Sequence, residues 1–191
     1  MIYIVTGYMR SGTSMMMQAL IAGGLDAAYD ARREHMNATY GDDYYQPNTG
    51  GFYELSTLDY KKDNFPLDYE GKLIKCLRGA LWKIKPHEYK IVFMLRNPEE
   101  IRQSYEAFFT NRADGFILDQ YQDRMQKSID DMRDREDVDL TVFQYREVVE
   151  DPVSHFEQLK TAGWPIDPIK AAEVVDPSLC RFRIENLVVG L

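Results

Sequence analysis

The opening stretch of the chain, residues 2–23, constrains the fold more than any other part of the sequence. Residues 2–6 form a short apolar run rich in β-branched side chains, which predicts a buried strand. A loop with Gly7 and Gly12 at its ends follows, and residues 13–23 then predict an apolar helix. A strand, a glycine-bounded loop and a helix are typical of a phosphate-binding site, because the loop N–H groups and the helix N-terminus converge on one anion.

The two glycines have the spacing of the P-loop in nucleoside triphosphatases, but the residues after them differ. A P-loop continues with lysine and then serine or threonine, whereas Thr13 and Ser14 follow Gly12 here. The missing lysine normally reaches the β- and γ-phosphates, so a kinase or ATPase interpretation is weakened. Arg10 instead places a positive charge inside the loop. We therefore expect an anion held at one phosphate rather than a metal-bridged triphosphate; the alternative is a tight strand-to-helix turn without a ligand.

The length and charge of the chain limit its organisation and its partners. At 191 residues it is long enough for one compact domain, residues 1–191. A net charge of −8 argues against general binding to nucleic acid or to anionic membranes. With two cysteines, no apolar run of membrane-spanning length and a core strand rather than a signal peptide at its start, the chain is expected to be cytoplasmic. We expect no metal site, because His35, His87 and His155 show no metal-ligand spacing.

Apolar runs and capping signals predict strands that alternate with helices along the rest of the chain. The predicted strands cover residues 73–77, 91–95 and 140–143, and the predicted helices cover residues 55–64, 98–112, 117–136 and 152–162, with a short helix after Pro168. This alternation predicts an α/β, three-layer, P-loop-like fold with a central, mostly parallel sheet flanked by helices. Ligands of such sheets bind at the carboxyl ends of the strands. The glycine loop, Arg96 and the residues after Phe143 all follow predicted strands and are expected to share one crevice.

Residues 25–54 depart from this alternation. They are rich in tyrosine, aspartate, asparagine and glycine and show little apolar periodicity. Long irregular excursions in compact domains are often lids or binding loops, so we expect a lid or substrate-binding segment here. A partly disordered surface loop is the alternative, although the aromatic residues of the segment argue against full disorder.

The segment around Arg96 resembles a known family. A predicted strand ends in Arg96, and Ser104 follows eight residues later on the next predicted helix. This arrangement resembles the 3′-phosphate-binding segment of the sulfotransferases, where both residues hold the 3′-phosphate of the donor 3′-phosphoadenosine-5′-phosphosulfate. The loop at the start of the chain resembles the family's 5′-phosphosulfate loop, in the arginine version common among bacterial-type members. The resemblance therefore implies a donor site that includes Gly7, Arg10, Ser11, Gly12, Thr13 and Ser14.

Two further segments resemble the same family. Residues 48–54 resemble the Gly-Phe-x-Glu segment of the bacterial-type members. Residues 144–152 resemble the Tyr-Glu-Asp-Leu-x-x-Asp-Pro segment, whose tyrosine lies beside the nucleotide. This implies that Tyr145 binds the nucleotide; a core tyrosine is the alternative. Four motifs in the family's order span both ends of the chain, so the chain as a whole resembles a short, bacterial-type sulfotransferase.

The sequence also departs from the family pattern. Many cytosolic sulfotransferases carry Lys-Thr-His before the 3′-phosphate segment, with the histidine as general base, but residues 75–77 are Lys-Cys-Leu here. Other branches use a carboxylate, which makes Glu54 the first candidate base, with Glu34 and His35 as rivals. The family's late Arg-Lys-Gly phosphate loop is missing. The candidate substitutes for it are Arg181 and Arg183.

The resemblance implies transfer of a sulfuryl group from this donor to a hydroxyl or amine of a small-molecule or carbohydrate acceptor, without a metal ion. Arg10 would stabilise charge on the leaving 5′-phosphate, and Glu54 would take the proton of the acceptor. Two alternatives stay open: a nucleotide-binding module without turnover, which the missing histidine favours, and a small P-loop kinase. For single residues, the alternatives are a surface salt bridge of Arg96 with Glu99 or Glu100, and a helix N-terminal position for Glu54.

Overall fold

Five parallel strands form one sheet in the part of the chain that this computed structural model describes, which is residues 1–32, 51–56, 58–81, 84–108 and 118–184. The strands are β1 (Ile2–Gly7), β2 (Ala27–Ala28), β3 (Leu73–Lys75), β4 (Tyr89–Leu95) and β5 (Val138–Gln144). Their order across the sheet is β2–β3–β1–β4–β5, and every pairing is parallel. The chain builds one side of the sheet and then the other around β1. The carboxyl end of β1 is therefore the switch point at which open α/β sheets bind their ligands.

Helices connect the strands on both sides of the sheet. Those with bounds inside the described residues are α1 (Thr13–Ala22), α2 (Arg78–Leu81), α3 (Pro98–Phe108), α4 (Leu118–Arg133), α5 (Tyr145–Glu150), α6 (Pro152–Thr161) and α7 (Pro168–Glu173). Single turns of 3₁₀-helix cover Asp59–Lys61, Leu67–Tyr69 and Pro177–Leu179. The first helix, the two helices after β4, the helix after Pro152 and the helix at Pro168 lie where the sequence predicts them.

The side chains of the strands pack into two apolar clusters, one on each face of the sheet. On one face, Val92 and Met94 of β4 pack with α1, α6 and α7. On the other face, Ile91, Phe93 and Leu95 of the same strand pack with α3 and α4. A strand that is apolar on both faces is what the interior of a parallel sheet requires. The predicted α/β fold, a parallel sheet between two layers of helices, is confirmed.

The helix predicted at residues 55–64 is wrong. The described residues there form a single 3₁₀ turn, Asp59–Lys61. The backbone N–H of Ser56 donates to the Asp59 carboxylate (3.2 Å), and the backbone N–H of Leu58 donates to the Ser56 hydroxyl (3.3 Å). These local side-chain hydrogen bonds take the place of the backbone bonds that an α-helix would need.

The two ends of the predicted excursion at residues 25–54 meet beside the sheet. Ala27–Ala28 pairs with β3 as an edge strand that the sequence did not predict. The backbone N–H of Asp30 donates to the carbonyl oxygen of Glu54 (2.9 Å). Most of the excursion, including the candidate bases Glu34 and His35, lies outside the described residues, so its expected role as a lid stays a prediction. In the described chain, every helix is too short or too polar to span a bilayer.

Candidate functional site

The carboxyl ends of the four longer strands lie along one edge of the sheet. Lys75 ends β3, and Gly7, which ends β1, pairs with Met94 of β4. At the last position of β4, Leu95 pairs with Gln144 of β5. The glycine loop after β1 and the segments after β4 and β5 therefore meet in one crevice, as expected from the parallel sheet.

Four of the predicted site residues are linked by direct contacts in this crevice. Nη1 of Arg96 donates to the carbonyl oxygen of Arg10 (3.1 Å), and Nε of Arg10 donates to Oγ of Ser104 (3.1 Å). The guanidinium carbon of Arg96 also lies 4.5 Å from the centroid of the Tyr145 ring. A cation that lies over an aromatic ring in this way is attracted to the negative face of the ring. Residues from three separate sequence motifs are thereby assembled around the loop.

The backbone of the loop explains its two glycines. Gly7 and Gly12 have positive φ angles of 147° and 94°, a region that L side chains rarely adopt. A Cβ atom at Gly7 would lie 2.6 Å from the carbonyl oxygen of Met94, and one at Gly12 would lie 2.2 Å from Cδ2 of Tyr145. Arg10 also has a positive φ, of 69°. The loop therefore holds a conformation and a close approach to its neighbours that only small residues permit at these two positions.

The hydroxyl residues of the loop are buried at the start of α1. Ser11 closes the loop, since both its backbone N–H (3.2 Å) and its hydroxyl (2.8 Å) donate to the carbonyl oxygen of Tyr8. Thr13 and Ser14 form the first turn of α1 and are also buried. The first-turn N–H groups of a helix have no acceptor within the helix, and the helix dipole makes this end positive. The loop thus presents an anion-binding end of α1 at the crevice.

A buried lysine that we did not predict as a site residue supplies a third positive charge, after Arg10 and Arg96. Lys75 is only 3% exposed, and its Nζ donates to Oγ of Ser14 (2.9 Å) and to the carbonyl oxygen of Phe52 (2.9 Å). It comes from the neighbouring strand β3, yet its Nζ reaches the first turn of α1. The sequence signal was a lysine in the middle of the apolar run 73–77; its contact with Ser14 arises only from the pairing of β3 with β1.

Arg96 is held by the protein through three donors. Nε donates to Oε2 of Glu100 (3.0 Å), Nη1 to the carbonyl of Arg10, and Nη2 to the carbonyl oxygen of Phe182 (3.2 Å). The ion pair of Arg96 with Glu100, named as the alternative for this residue, is present, but its surface location is wrong, because Arg96 is 9% exposed and Glu100 is 2% exposed. A guanidinium carries five N–H donors, and these contacts use three of them. The internal contacts therefore leave two of its N–H groups outside these hydrogen bonds.

Tyr145 closes the crevice from the β5 side. Its ring is 7% exposed and packs between the backbone of Gly12 and the guanidinium of Arg96. Burial raises the pKa of the Tyr145 hydroxyl to about 12, and a hydrogen bond with Cys180 acts in the same direction, while Arg96 opposes it. The hydroxyl is therefore neutral at physiological pH and serves as a hydrogen-bonding group rather than as a base.

Glu54 lies at the same edge of the sheet, next to Lys75. Its backbone forms an isolated parallel bridge with Lys75, and the residue is half-buried. The segment around Glu54 is not helical, so the interpretation as a helix N-terminal carboxylate is wrong. Its backbone pairing with the buried Lys75 leaves it the candidate base.

The tail brings Phe182 rather than the Arg181 side chain onto Arg96 in the described contacts. Arg181 has an exposed side chain, and its backbone N–H donates to the carbonyl oxygen of Leu179 (3.0 Å). The role of Arg181 as a phosphate ligand stays a prediction. No group of three or more His, Cys, Asp or Glu side chains is arranged to hold a metal ion within the part of the chain that the structure describes.

Comparisons with known proteins do not identify a family. The sequence matches no protein-family model, and no curated protein is significantly similar to it. Among solved structures, the fold is similar to that of an unliganded sugar kinase from Janibacter sp. HTCC2649, with a TM-score of 0.42 and 15% sequence identity over 93% of this chain and 96% of that chain. A likeness of this size supports no conclusion about activity, which has to come from the site itself.

Proposed function

We propose that this chain binds 3′-phosphoadenosine-5′-phosphosulfate at the glycine loop and transfers its sulfuryl group to a hydroxyl or amine of a small acceptor. One observation carries the proposal: Arg10, Arg96, Ser104 and Tyr145 are linked by direct contacts. These residues come from three of the segments that resemble the sulfotransferases. The parallel sheet brings these strand ends together in any case, so the support for the proposal lies in the residue types that meet there: two arginines, a serine and a tyrosine, as in the segments that carry the resemblance.

The charges of the site fall into two clusters on opposite sides of β1. On the β3 side, Lys75 contacts Ser14 at the start of α1. On the β4 side, Arg96 and Ser104 both hydrogen-bond to Arg10, which belongs to the glycine loop itself. Each cluster offers positive charge together with a hydroxyl, which is how proteins bind a phosphate. Two separate clusters suit a nucleotide with anionic groups at both its 3′ and its 5′ positions better than one continuous triphosphate.

The chemistry required of the protein is mainly charge stabilisation. The donor, when bound, supplies an activated sulfuryl group. Arg10 and Lys75, with the N–H groups at the start of α1, would stabilise the negative charge that develops on a leaving 5′-phosphate. Glu54 would accept the proton of the attacking hydroxyl or amine, a contribution of roughly 10²- to 10⁴-fold in rate.

The acceptor is proposed to be a small molecule or a carbohydrate that approaches from the side of Glu54. Tyr53 precedes Glu54 in the chain, and Tyr29 lies against Tyr53 in the structure, with ring centroids 5.3 Å apart in an edge-to-face arrangement. Tyr29 is 43% exposed, so part of its ring is open to stack on a sugar or an aromatic ring. A cytoplasmic location and the absence of nucleic-acid or membrane partners belong to the same proposal, in line with the net charge of −8.

Binding of adenosine 3′,5′-bisphosphate, the product form of the donor, tests the proposal by calorimetry. Arg96→Lys keeps a charge opposite Glu100 but loses the planar fork, so we expect its affinity to fall by about 10- to 100-fold. The matched control is Arg102→Lys on α3, the helix that follows Arg96, because Arg102 pairs with Glu99 and Glu106 and is partly exposed. Equal affinity for the two variants would exclude Arg96 from the nucleotide site.

A small kinase is the second candidate, and Lys75 is the observation that favours it. Lys75 provides, from another strand, the cation at the start of α1 that the loop sequence lacks. A kinase would bind ATP with Mg²⁺ in preference to the bisphosphate.

A Glu54→Gln variant separates the enzyme from a binding module without turnover: loss of transfer with unchanged bisphosphate affinity would identify a catalytic base. Unchanged transfer would exclude Glu54 from that role.

A further inference from the structure

The tail of the chain is attached to the site through its backbone. We call residues 180–184 the strap; they follow the 3₁₀ turn Pro177–Leu179. The carbonyl oxygen of Phe182 accepts a hydrogen bond from Nη2 of Arg96 (3.2 Å). The backbone N–H of Ile184 donates to Oε1 of Glu100 (3.2 Å), and its carbonyl oxygen accepts from Nη1 of Arg146 (3.2 Å). The strap thus lies across the ion pair that orients the central cation of the site.

Glu100 depends on the strap for part of its stabilisation. It is 2% exposed and receives Nε of Arg96 at 3.0 Å, the Ile184 N–H at 3.2 Å and Nη2 of Arg146 at 3.8 Å. A buried carboxylate is tolerated only when its oxygen atoms are paired and hydrogen-bonded. Removing the strap takes one donor from Glu100 and one acceptor from Arg96 in the same step. The orientation of Arg96 is therefore shared between α3 and the tail.

Arg96 connects the strap and Glu100 to the glycine loop. Its Nη1 holds the carbonyl oxygen of Arg10, a residue in the left-handed region with φ of 69°. Its guanidinium also lies on the Tyr145 ring, which packs against Gly12. A left-handed non-glycine residue persists only when the structure around it fixes it. A continuous set of contacts therefore joins the strap, Glu100, Arg96 and the loop.

We infer that the strap is a positioning element of the site, with Glu100 as its positioning residue, and that strap docking and nucleotide binding stabilise each other. The identity of the ligand rests on the proposed function, but the link between strap and loop does not. If docking of the strap raises nucleotide affinity, binding of the nucleotide stabilises the docked strap by the same factor. The strap then contributes to ligand binding at the site.

Hydrogen exchange without any ligand tests the link itself. Ile184→Pro removes the N–H that reaches Glu100, whereas Ile184→Ala keeps it and reports the loss of the side chain alone. We expect amides of residues 8–12 to exchange about tenfold faster in the proline variant than in the alanine variant, as for loss of a hydrogen bond to a charged group. A second variant, Arg146→Ala, loosens the strap from the exposed side and is expected to give a smaller increase of the same kind. Loop exchange that is unchanged in all variants would overturn the inference, whatever the protein binds.

The reciprocal experiment uses adenosine 3′,5′-bisphosphate with the full chain. We expect Ile184→Pro to bind it about tenfold more weakly than Ile184→Ala. We also expect the bisphosphate to slow tryptic cleavage after Arg183, followed by mass spectrometry, with no protection in Arg96→Lys. If wild type binds the bisphosphate but neither effect appears, the strap is not coupled to the site. If the loop responds to the strap but wild type does not bind the bisphosphate, the proposed function is wrong and the coupling stands.

Discussion

Replacement of Gly12 by alanine tests whether the loop and Tyr145 approach each other as closely as the structure shows. The φ angle of 94° costs an alanine about 1–2 kcal/mol. The new Cβ would also lie 2.2 Å from Cδ2 and 2.8 Å from Cε2 of Tyr145, and the ring cannot retreat easily because Arg96 lies on it. Overpacking of this kind costs about 1–3 kcal/mol more. We therefore expect Gly12→Ala to lower the free energy of unfolding by about 2–5 kcal/mol.

Gly24→Ala is the matched control for this change. Gly24 has a φ of 112°, but a Cβ added there meets no atom within 4 Å. Gly24→Ala therefore carries only the cost of the backbone conformation. The difference in the free energy of unfolding between the two variants measures the contact with Tyr145. The assay is urea unfolding of both variants and wild type, with the slope of the transition checked for two-state behaviour. Equal destabilisation by the two substitutions would refute the close packing of the loop against Tyr145.

Three further perturbations address the charges. Lys75→Met leaves Ser14 and the crevice without their buried cation, and calorimetry is expected to show bisphosphate affinity about 10- to 100-fold lower; an unchanged affinity would exclude Lys75 from the site. Ser104→Ala removes the acceptor of Arg10 and is expected to weaken bisphosphate binding by about tenfold, whereas equal binding would show that the contact has no role. Arg135 lowers the pKa of the Asp137 carboxyl to about 2. The contribution of their ion pair to the free energy of unfolding is therefore complete above about pH 4 and is lost as the pH falls through 2. The urea midpoint of Asp137→Asn is expected to lie below that of wild type at pH 7 and to approach it near pH 2; a constant gap would contradict this.

The strands and most helices could be predicted because their signals are local. β1 and β4 are apolar runs of β-branched and aromatic residues, and Pro98 and Pro152 stand at the first positions of their helices. β2 has no such signal, since Ala27–Ala28 becomes a strand only through pairing with β3. The helix expected at residues 55–64 failed for a related reason, because side-chain hydrogen bonds of Ser56 and Asp59 compete with helix formation and are not visible in hydrophobic periodicity.

The candidate site was predictable in its loop but not in its electrostatics. The glycine loop and the Arg96–Ser104 spacing can be read directly from the sequence. Lys75 reaches the loop only because β3 lies next to β1, and the order of the strands is not written in any single segment. A surface salt bridge of Arg96 with Glu99 or Glu100 was only an alternative in the sequence analysis, whereas the structure has the Glu100 pair and buries it beneath the tail. That burial depends on residues more than 80 positions away, which no local pattern reveals.

The most direct test of the central claim compares two ligands on the wild-type chain. Adenosine 3′,5′-bisphosphate without metal and ATP with Mg²⁺ are titrated calorimetrically under the same conditions. The two charge clusters beside β1 lead us to expect tighter binding of the bisphosphate, by about 100-fold if the 3′-phosphate gains two charge-assisted contacts. Preference for ATP with Mg²⁺, or no binding of either ligand, would contradict a sulfuryl-transfer site at this loop.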